Sequence, residues 1–194
     1  MVRPREFDRD VALDKAIGVF HAKGFSATST DDLLAAMEIG RQSLYNTFGD
    51  KRALYVEALQ SYQRKTVEGH LRRLNASKSP LAGIRNLLVG LIADQDDVRA
   101  LGCMGVGSVG EFGVADAELV QMRNKIGLVL GARLVERIKE GQKNGEIAPG
   151  ISPDDAAGFI QVTMTGLQLA ARGGGGAKEL QKLARFAADF LKAT

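Results

Sequence analysis

Arg41, Gln42, Ser43, Asn46 and Thr47 fall within seven positions of one another, and each carries a group that can read a nucleic-acid base or hold a phosphate. An Arg fork matches the O6/N7 edge of guanine, Asn and Gln amides match the N6/N7 edge of adenine, and Ser or Thr hydroxyls serve bases or phosphates. The chemistry needs these side chains on one exposed face. The spacing predicts a helix over about 41–48, in which Leu44 and Phe48, four apart, turn inward with Ile39 while the polar set stays outside. Such a helix suits the major groove of double-stranded DNA. Lys51 and Arg52 then open the next helix behind Asp50, within reach of a phosphate. The plainer reading of the same residues is a solvated helix face.

Two further patterns could carry chemistry. Gly105-Val106-Gly107-Ser108-Val109-Gly110 spells the GxGxxG of a dinucleotide-binding turn, which would make the chain an enzyme using Gly105, Gly107 and Gly110. That turn needs an apolar strand before it and an acid about 20 positions after it. Here Asp94-Gln95-Asp96-Asp97 precedes it and Leu130 stands downstream. The glycines read better as a soft helix, since each interior glycine costs about 1 kcal/mol relative to alanine. Cys103, the single cysteine, excludes an internal disulfide; it is a small buried hydrophobe unless a cation such as Arg99 or a helix N-terminus lowers its pKa. His21 and His70 stand far apart without ligands at metal spacing. No nucleophile–base pair or carboxylate dyad occurs, so no catalytic residue, metal or cofactor is expected, and the chain reads as a non-enzyme.

The elements that must position these groups are helices. Ser29 with Asp32 three residues later forms a capping-box-like start, Leu33, Leu34 and Met37 supply its apolar stripe, and Gly40 serves the turn before the reading helix. A long helix is expected from Lys51 to about Leu74, another from Pro80 behind Ser79, another over about 117–143, and a strongly signalled one from Pro153, where Ser152-Pro153-Asp154-Asp155 combines an N-cap, proline at N1 and acids in the first turn. That last helix, to about Arg172, is apolar on nearly every face. One face would pack inside the subunit and another against a second copy. After the glycines 173–176, Leu180, Leu183, Ala187, Phe190 and Leu191 form one more stripe.

From Phe25 to Leu54 the chain resembles the DNA-binding domain of the TetR/AcrR family of transcriptional regulators, most clearly in Ser43-Leu44-Tyr45-Asn46-Thr47-Phe48 and Asp50-Lys51-Arg52-Ala53-Leu54. The resemblance implies an all-α chain of about nine helices: a three-helix helix-turn-helix domain over 1–50 and a helical effector-binding and dimerisation domain over 51–194. It places Thr28 and Ser29 at phosphate contacts before the second helix, Arg41, Gln42, Ser43, Tyr45 and Asn46 on the recognition helix, and Lys51 at a phosphate; Arg3 and Arg5 on the N-terminal arm join them. Two positions depart from the family pattern: Glu38 where a turn glycine is usual and Gly40 where a small hydroxyl residue caps the recognition helix. The helices 153–172 and 177–192 look like the family's dimerisation pair, which implies a homodimer on a palindromic operator. The family's effector cavity would draw on Cys103, Met104, Phe112, Met122, Met164, Leu167 and Gln168, a set apolar enough to suggest an uncharged or weakly polar small molecule. The Gly-Cys-Met context of Cys103 also looks like that of family members responding to electrophiles or oxidants. The implied function is a ligand-responsive transcriptional regulator, a repressor released by its effector, with redox sensing through Cys103 as an alternative.

Charge qualifies this reading. The 194 residues carry a net charge of only +3, and residues 1–74 hold 12 Lys or Arg against 10 Asp or Glu. DNA binding must therefore rest on where the cations lie. With no apolar leader and no run of about 18 apolar residues, no membrane partner is expected and the chain should be cytoplasmic.

Overall fold

The computed structural model describes residues 7–193. Ten helices account for the fold among the described residues: α1 (Arg9–Lys23), α2 (Thr30–Met37), α3 (Arg41–Phe48), α4 (Lys51–Asn75), α5 (Pro80–Val89), α6 (Asp96–Leu101), α7 (Met104–Phe112), α8 (Ala117–Lys143), α9 (Pro153–Arg172) and α10 (Ala177–Asp189). About nine were expected; the six-residue α6 is the addition. The strand-like pairing among these residues is a single bridge between Ile147 and Lys192, which ties the chain's end to the loop after α8. No helix among them is long and apolar enough to cross a membrane.

Side-chain caps set most of the helix starts. Ser29 accepts from the Asp32 amide while Asp32 accepts from the Ser29 amide, completing the capping box of α2. Asp8, Asp50, Ser79, Asp116 and Ser152 cap α1, α4, α5, α8 and α9 more simply, each side chain accepting from a backbone N–H of the first turn. Each such cap contributes about 1 kcal/mol relative to alanine. Gly40, at the start of α3, makes no side-chain cap bond. Glu38 closes α2 with φ 58°, the left-handed conformation that glycine adopts without a Cβ penalty. Its carboxylate is held by Lys15 at 2.6 Å.

Burial organises the helices around two cores. One joins Ala16 and Phe20 of α1, Leu33 and Met37 of α2, Leu44 and Phe48 of α3, and Leu54, Tyr55, Ala58 and Leu59 of α4. The other runs from Leu74 through Ile84, Leu87 and Leu88 of α5, Leu134 and Ile138 of α8, Ile160 of α9 and Ala184 of α10. Helix α4 contributes to both, through Leu54, Tyr55, Ala58 and Leu59 to the first and through Leu74 to the second. Met104 of α7 and Leu119 of α8 reach into the first core. Movement of α7 or α8 therefore bears directly on the N-terminal helices.

Candidate nucleic-acid interface and internal cavity

Buried Leu44 and Phe48 anchor α3 and turn Arg41, Gln42, Tyr45 and Asn46 outward. The Gln42 amide donates to Asn46 Oδ1 at 2.8 Å, one helical turn away, so both amides are held in line along the exposed face. Arg41 pairs with Asp31 of α2 at 2.6 Å, which draws its guanidinium toward the neighbouring helix. Ser43 and Thr47 are half-buried at the edge of this face. Arg3 and Arg5 lie outside the described residues.

Around the N-terminus of α2 the structure departs from the sequence reading. Thr28 is only 1% exposed, and its hydroxyl donates to the Gly24 carbonyl at 2.5 Å. The side chain expected at a phosphate is turned inward and spent on the α1–α2 turn. Ser29 is exposed, although its oxygen already accepts from Asp32. Asp32 is held at a pKa of about 2 by Lys23, with further help from the Ser29 backbone and hydroxyl. Lys51 donates to the Thr28 carbonyl at 2.6 Å and sits 4.3 Å above the Phe25 ring. A single hydrogen bond leaves its other two N–H donors free at the junction of α2 and α4. Arg52 is not available to a phosphate there: it is clamped by Asp116 at 2.6 Å and Glu118 at 2.9 Å, joining the starts of α4 and α8.

Behind this surface lies a cavity of about 390 Å³ walled by α4, α7, α8 and α9. That size falls in the range of sites for small organic molecules. Of the residues expected there, Cys103, Met164 and Gln168 line it. Met104 and Leu167 are buried in the two cores, Met122 packs beside the first, and Phe112 stacks with Phe25 and Tyr55. Large apolar side chains such as these fill cores because burial rewards them there. The cavity has instead a polar wall formed by Tyr62, Gln63, His70, Arg123 and Gln161. Their signal was present on α4 as Tyr62, Thr66 and His70, spaced four apart on one face. Burial, and then the Arg73 cation, push the His70 pKa down to about 4. The Gln161 amide donates to the Gly127 carbonyl at 2.8 Å and pins α9 to α8 across the wall.

The soft segment connects the cavity to the reading end. Helix α7 is intact, bounded by Gly102 and Gly113 in positive φ, and no strand precedes its glycines. The dinucleotide turn therefore lacks its context. Cys103, Gly105, Val106 and Val109 of this segment face the cavity. At its far end Glu111 accepts from the Phe25 and Ser26 amides at 2.8 and 3.0 Å. His21 meets the Gly102 carbonyl at 3.1 Å, and Arg172 donates to the Leu101 carbonyl at 2.6 Å. None of these links was legible as a pair in the sequence. No group of three or more metal-ligating side chains occurs among the described residues.

An apolar surface completes the picture. Val162 (73% exposed) and Leu169 of α9 lie open, as do Leu183 and Phe186 (70%) of α10 and Phe190 just past its end. Phe159 stacks on Phe190 at 5.8 Å, which makes the two helices one continuous patch.

Comparison with known proteins agrees with this arrangement. Residues 12–58 match the family model for bacterial regulatory proteins of the tetR family. An uncharacterized HTH-type transcriptional regulator of Bacillus subtilis, YezE, is 38% identical over 122 residues, covering 62% of this chain and 63% of that protein. The HTH-type transcriptional repressor ComR of Escherichia coli is 26% identical over 186 residues, covering 94% of this chain and 88% of its own length. Among solved structures, a cysteine mutant of the TetR-family regulator CifR, complexed with a 26-base-pair double-strand operator DNA, superposes with a TM-score of 0.75 at 27% identity, over 96% of this chain and 97% of that one. Residues 12–58 thus carry the tetR-family regulatory segment, and over nearly its whole length the chain is similar in sequence and fold to TetR-family transcriptional regulators.

Proposed function

We propose that this protein is a ligand-responsive repressor that binds a palindromic operator as a homodimer in the cytoplasm. Residues 1–50 form the reading head and 51–194 the effector and dimerisation unit, with α4 shared between their cores. Arg41, Gln42, Ser43, Tyr45 and Asn46 read or flank the bases, while Ser29 and Lys51 hold phosphate, joined by Arg3 and Arg5. The observation that carries the reading is continuity: one soft helix, α7, lines the cavity with Gly105, Val106 and Val109 and holds the α1–α2 turn through Glu111. A molecule that displaces α7 must move the Phe25–Ser26 backbone just ahead of Ser29 and Lys51. The exposed α9–α10 patch is the surface a second copy would cover, setting two reading heads about one helical turn of DNA apart.

The test is a titration onto DNA from upstream of its own gene at rising salt. A specific complex with several phosphate contacts weakens by orders of magnitude between about 50 and 200 mM salt. Absence of sequence-specific binding at every salt concentration refutes the reading. A second mode, release by electrophiles, is favoured by one observation: Cys103 lines the cavity wall together with Tyr62, where an entering molecule can reach its thiol. An electrophile should then release DNA from the wild type and not from Cys103→Ala. Equal release from both would end that idea.

A further inference from the structure

The polar atoms of the cavity indicate what kind of molecule it takes. Arg123, on α8, donates through Nη2 to the Gly113 carbonyl at 2.5 Å, but its Nη1 is buried without a hydrogen-bond partner among the described residues. No carboxylate lies within ion-pairing distance of it there, and none lines the cavity. Glu111 of the adjoining helix is committed to the Phe25 and Ser26 amides. A guanidinium stays charged in a protein, and a buried donor left unpaired is costly. The site therefore carries one uncompensated positive charge and is one negative charge short of neutrality.

The remaining walls give the rest of the ligand. Helices α4 and α8 run side by side in the same direction, with Arg52 joined to Asp116 and Glu118 at one end and Arg133 to Asn75 at the other. Arg123 and Tyr62 accordingly lie toward the reading head, Leu130 and His70 toward the far end. Tyr62 to His70 spans eight residues, about 12 Å along the helix. Between them Val67, Ile126, Leu130 and Met164 form apolar walls. Next to Tyr62, at the reading-head end, Gln63, 7% exposed, has an unpartnered Oε1. Arg73 donates to His70 Nδ1 at 3.2 Å, which fixes the remaining proton on Nε2.

We propose that the cavity binds an organic monocarboxylate with an apolar body about 10 Å long, its carboxylate seated on Arg123 and its tail directed toward Leu130 and Met164. This rests on the cavity being the effector site and differs from the uncharged or weakly polar molecule suggested by the apolar candidates, because Arg123 adds a charge to the wall. An inorganic anion would satisfy the guanidinium but leave the apolar walls unfilled. A neutral ligand would leave the guanidinium unpaired.

The experiment uses the full-length protein with octanoate and 4-phenylbutyrate, their primary amides, and sodium sulfate at matched ionic strength. Binding is measured by calorimetry and operator release by fluorescence anisotropy. The carboxylates should bind about tenfold or more tightly than their amides, as charge-assisted hydrogen bonds exceed neutral ones. Arg123→Gln should erase that preference while leaving amide binding in place, and Arg123→Lys should restore part of it. Amides binding as well as carboxylates overturn the proposal, as does carboxylate binding unchanged in Arg123→Gln. Sulfate binding as tightly as octanoate also overturns it. Arg123-dependent carboxylate binding without operator release upholds the ligand class and refutes the effector reading instead.

Discussion

Asp31 provides the most discriminating perturbation of the reading head. Its carboxylate lies 2.6 Å from the Arg41 guanidinium, both largely exposed, beside the N-terminus of α2. Arg41 must leave this partner to engage a base or phosphate, and any bound phosphate must tolerate the acid nearby. An exposed pair of this kind contributes about 0.2–1 kcal/mol. Repulsion between Asp31 and a phosphate roughly 8 Å away adds about 0.5 kcal/mol in water. Asp31→Asn should therefore tighten operator binding by roughly 0.5–1.5 kcal/mol per reading head, or about two- to tenfold. The gain should shrink at high salt, where both terms are screened. Stability should change in the opposite direction, because the substitution removes an acid from the first turn of α2, worth about 0.3–1 kcal/mol through the helix dipole. Fluorescence anisotropy at 50 and 200 mM salt measures the first effect and urea unfolding the second. Weaker or unchanged DNA binding in Asp31→Asn would show that Arg41 does not work at the DNA surface.

Other outcomes can be set from the same structure. His70 is held neutral by burial, with a pKa lowered to about 4. The unfolded chain therefore takes up a proton that the folded one refuses as pH falls from about 6.5 toward 4. Between pH 7 and 4.5 the wild type should lose roughly 2–3 kcal/mol more stability than His70→Gln in urea unfolding; parallel losses would contradict the assignment. Gly83→Ala places a Cβ 2.2 Å from the Leu74 carbonyl oxygen, so α5 must retreat from α4 at a net cost of about 1–3 kcal/mol despite the better helix propensity. Gly107→Ala meets nothing within 4 Å and should stabilise by roughly 0.5–1 kcal/mol; thermal unfolding of the two variants reads both signs. Phe186→Glu should yield a folded monomer by sedimentation with much weaker operator binding, whereas an intact dimer would move the interface off the α9–α10 patch.

What the sequence made legible was local. The Ser29–Asp32 box, the Ser152-Pro153 start and the uncapped Gly40 each depend on residues within four positions, and the structure has all three. Helix α6 escaped notice because Asp96–Leu101 is too short to show an apolar stripe. Thr28 and Arg52 stand apart from the phosphate role expected of them for a different reason. Their groups fit phosphate, but partners elsewhere in the fold, Gly24 for one and the α8 acids for the other, already satisfy them. The cavity was the least legible feature, since its walls come from four helices and its one charged side chain, Arg123, sits on the exposed-looking pattern Gln121-Met122-Arg123-Asn124. Nothing in that spacing distinguishes an Arg facing solvent from one facing inward.

The central claim is that α3, presented twice by a symmetric dimer, reads DNA sequence. Selection of bound sequences from a random double-stranded pool, performed with the wild type and with Gln42→Ala and Lys51→Ala, tests it most directly. The wild type should enrich a palindrome with half-sites about one helical turn, or a multiple of one, apart. Gln42→Ala should relax the preference at one position in each half-site by about 1–3 kcal/mol, and Lys51→Ala should weaken every sequence alike. A pool that stays random, or that enriches the same sequence equally with Gln42→Ala, would contradict the account.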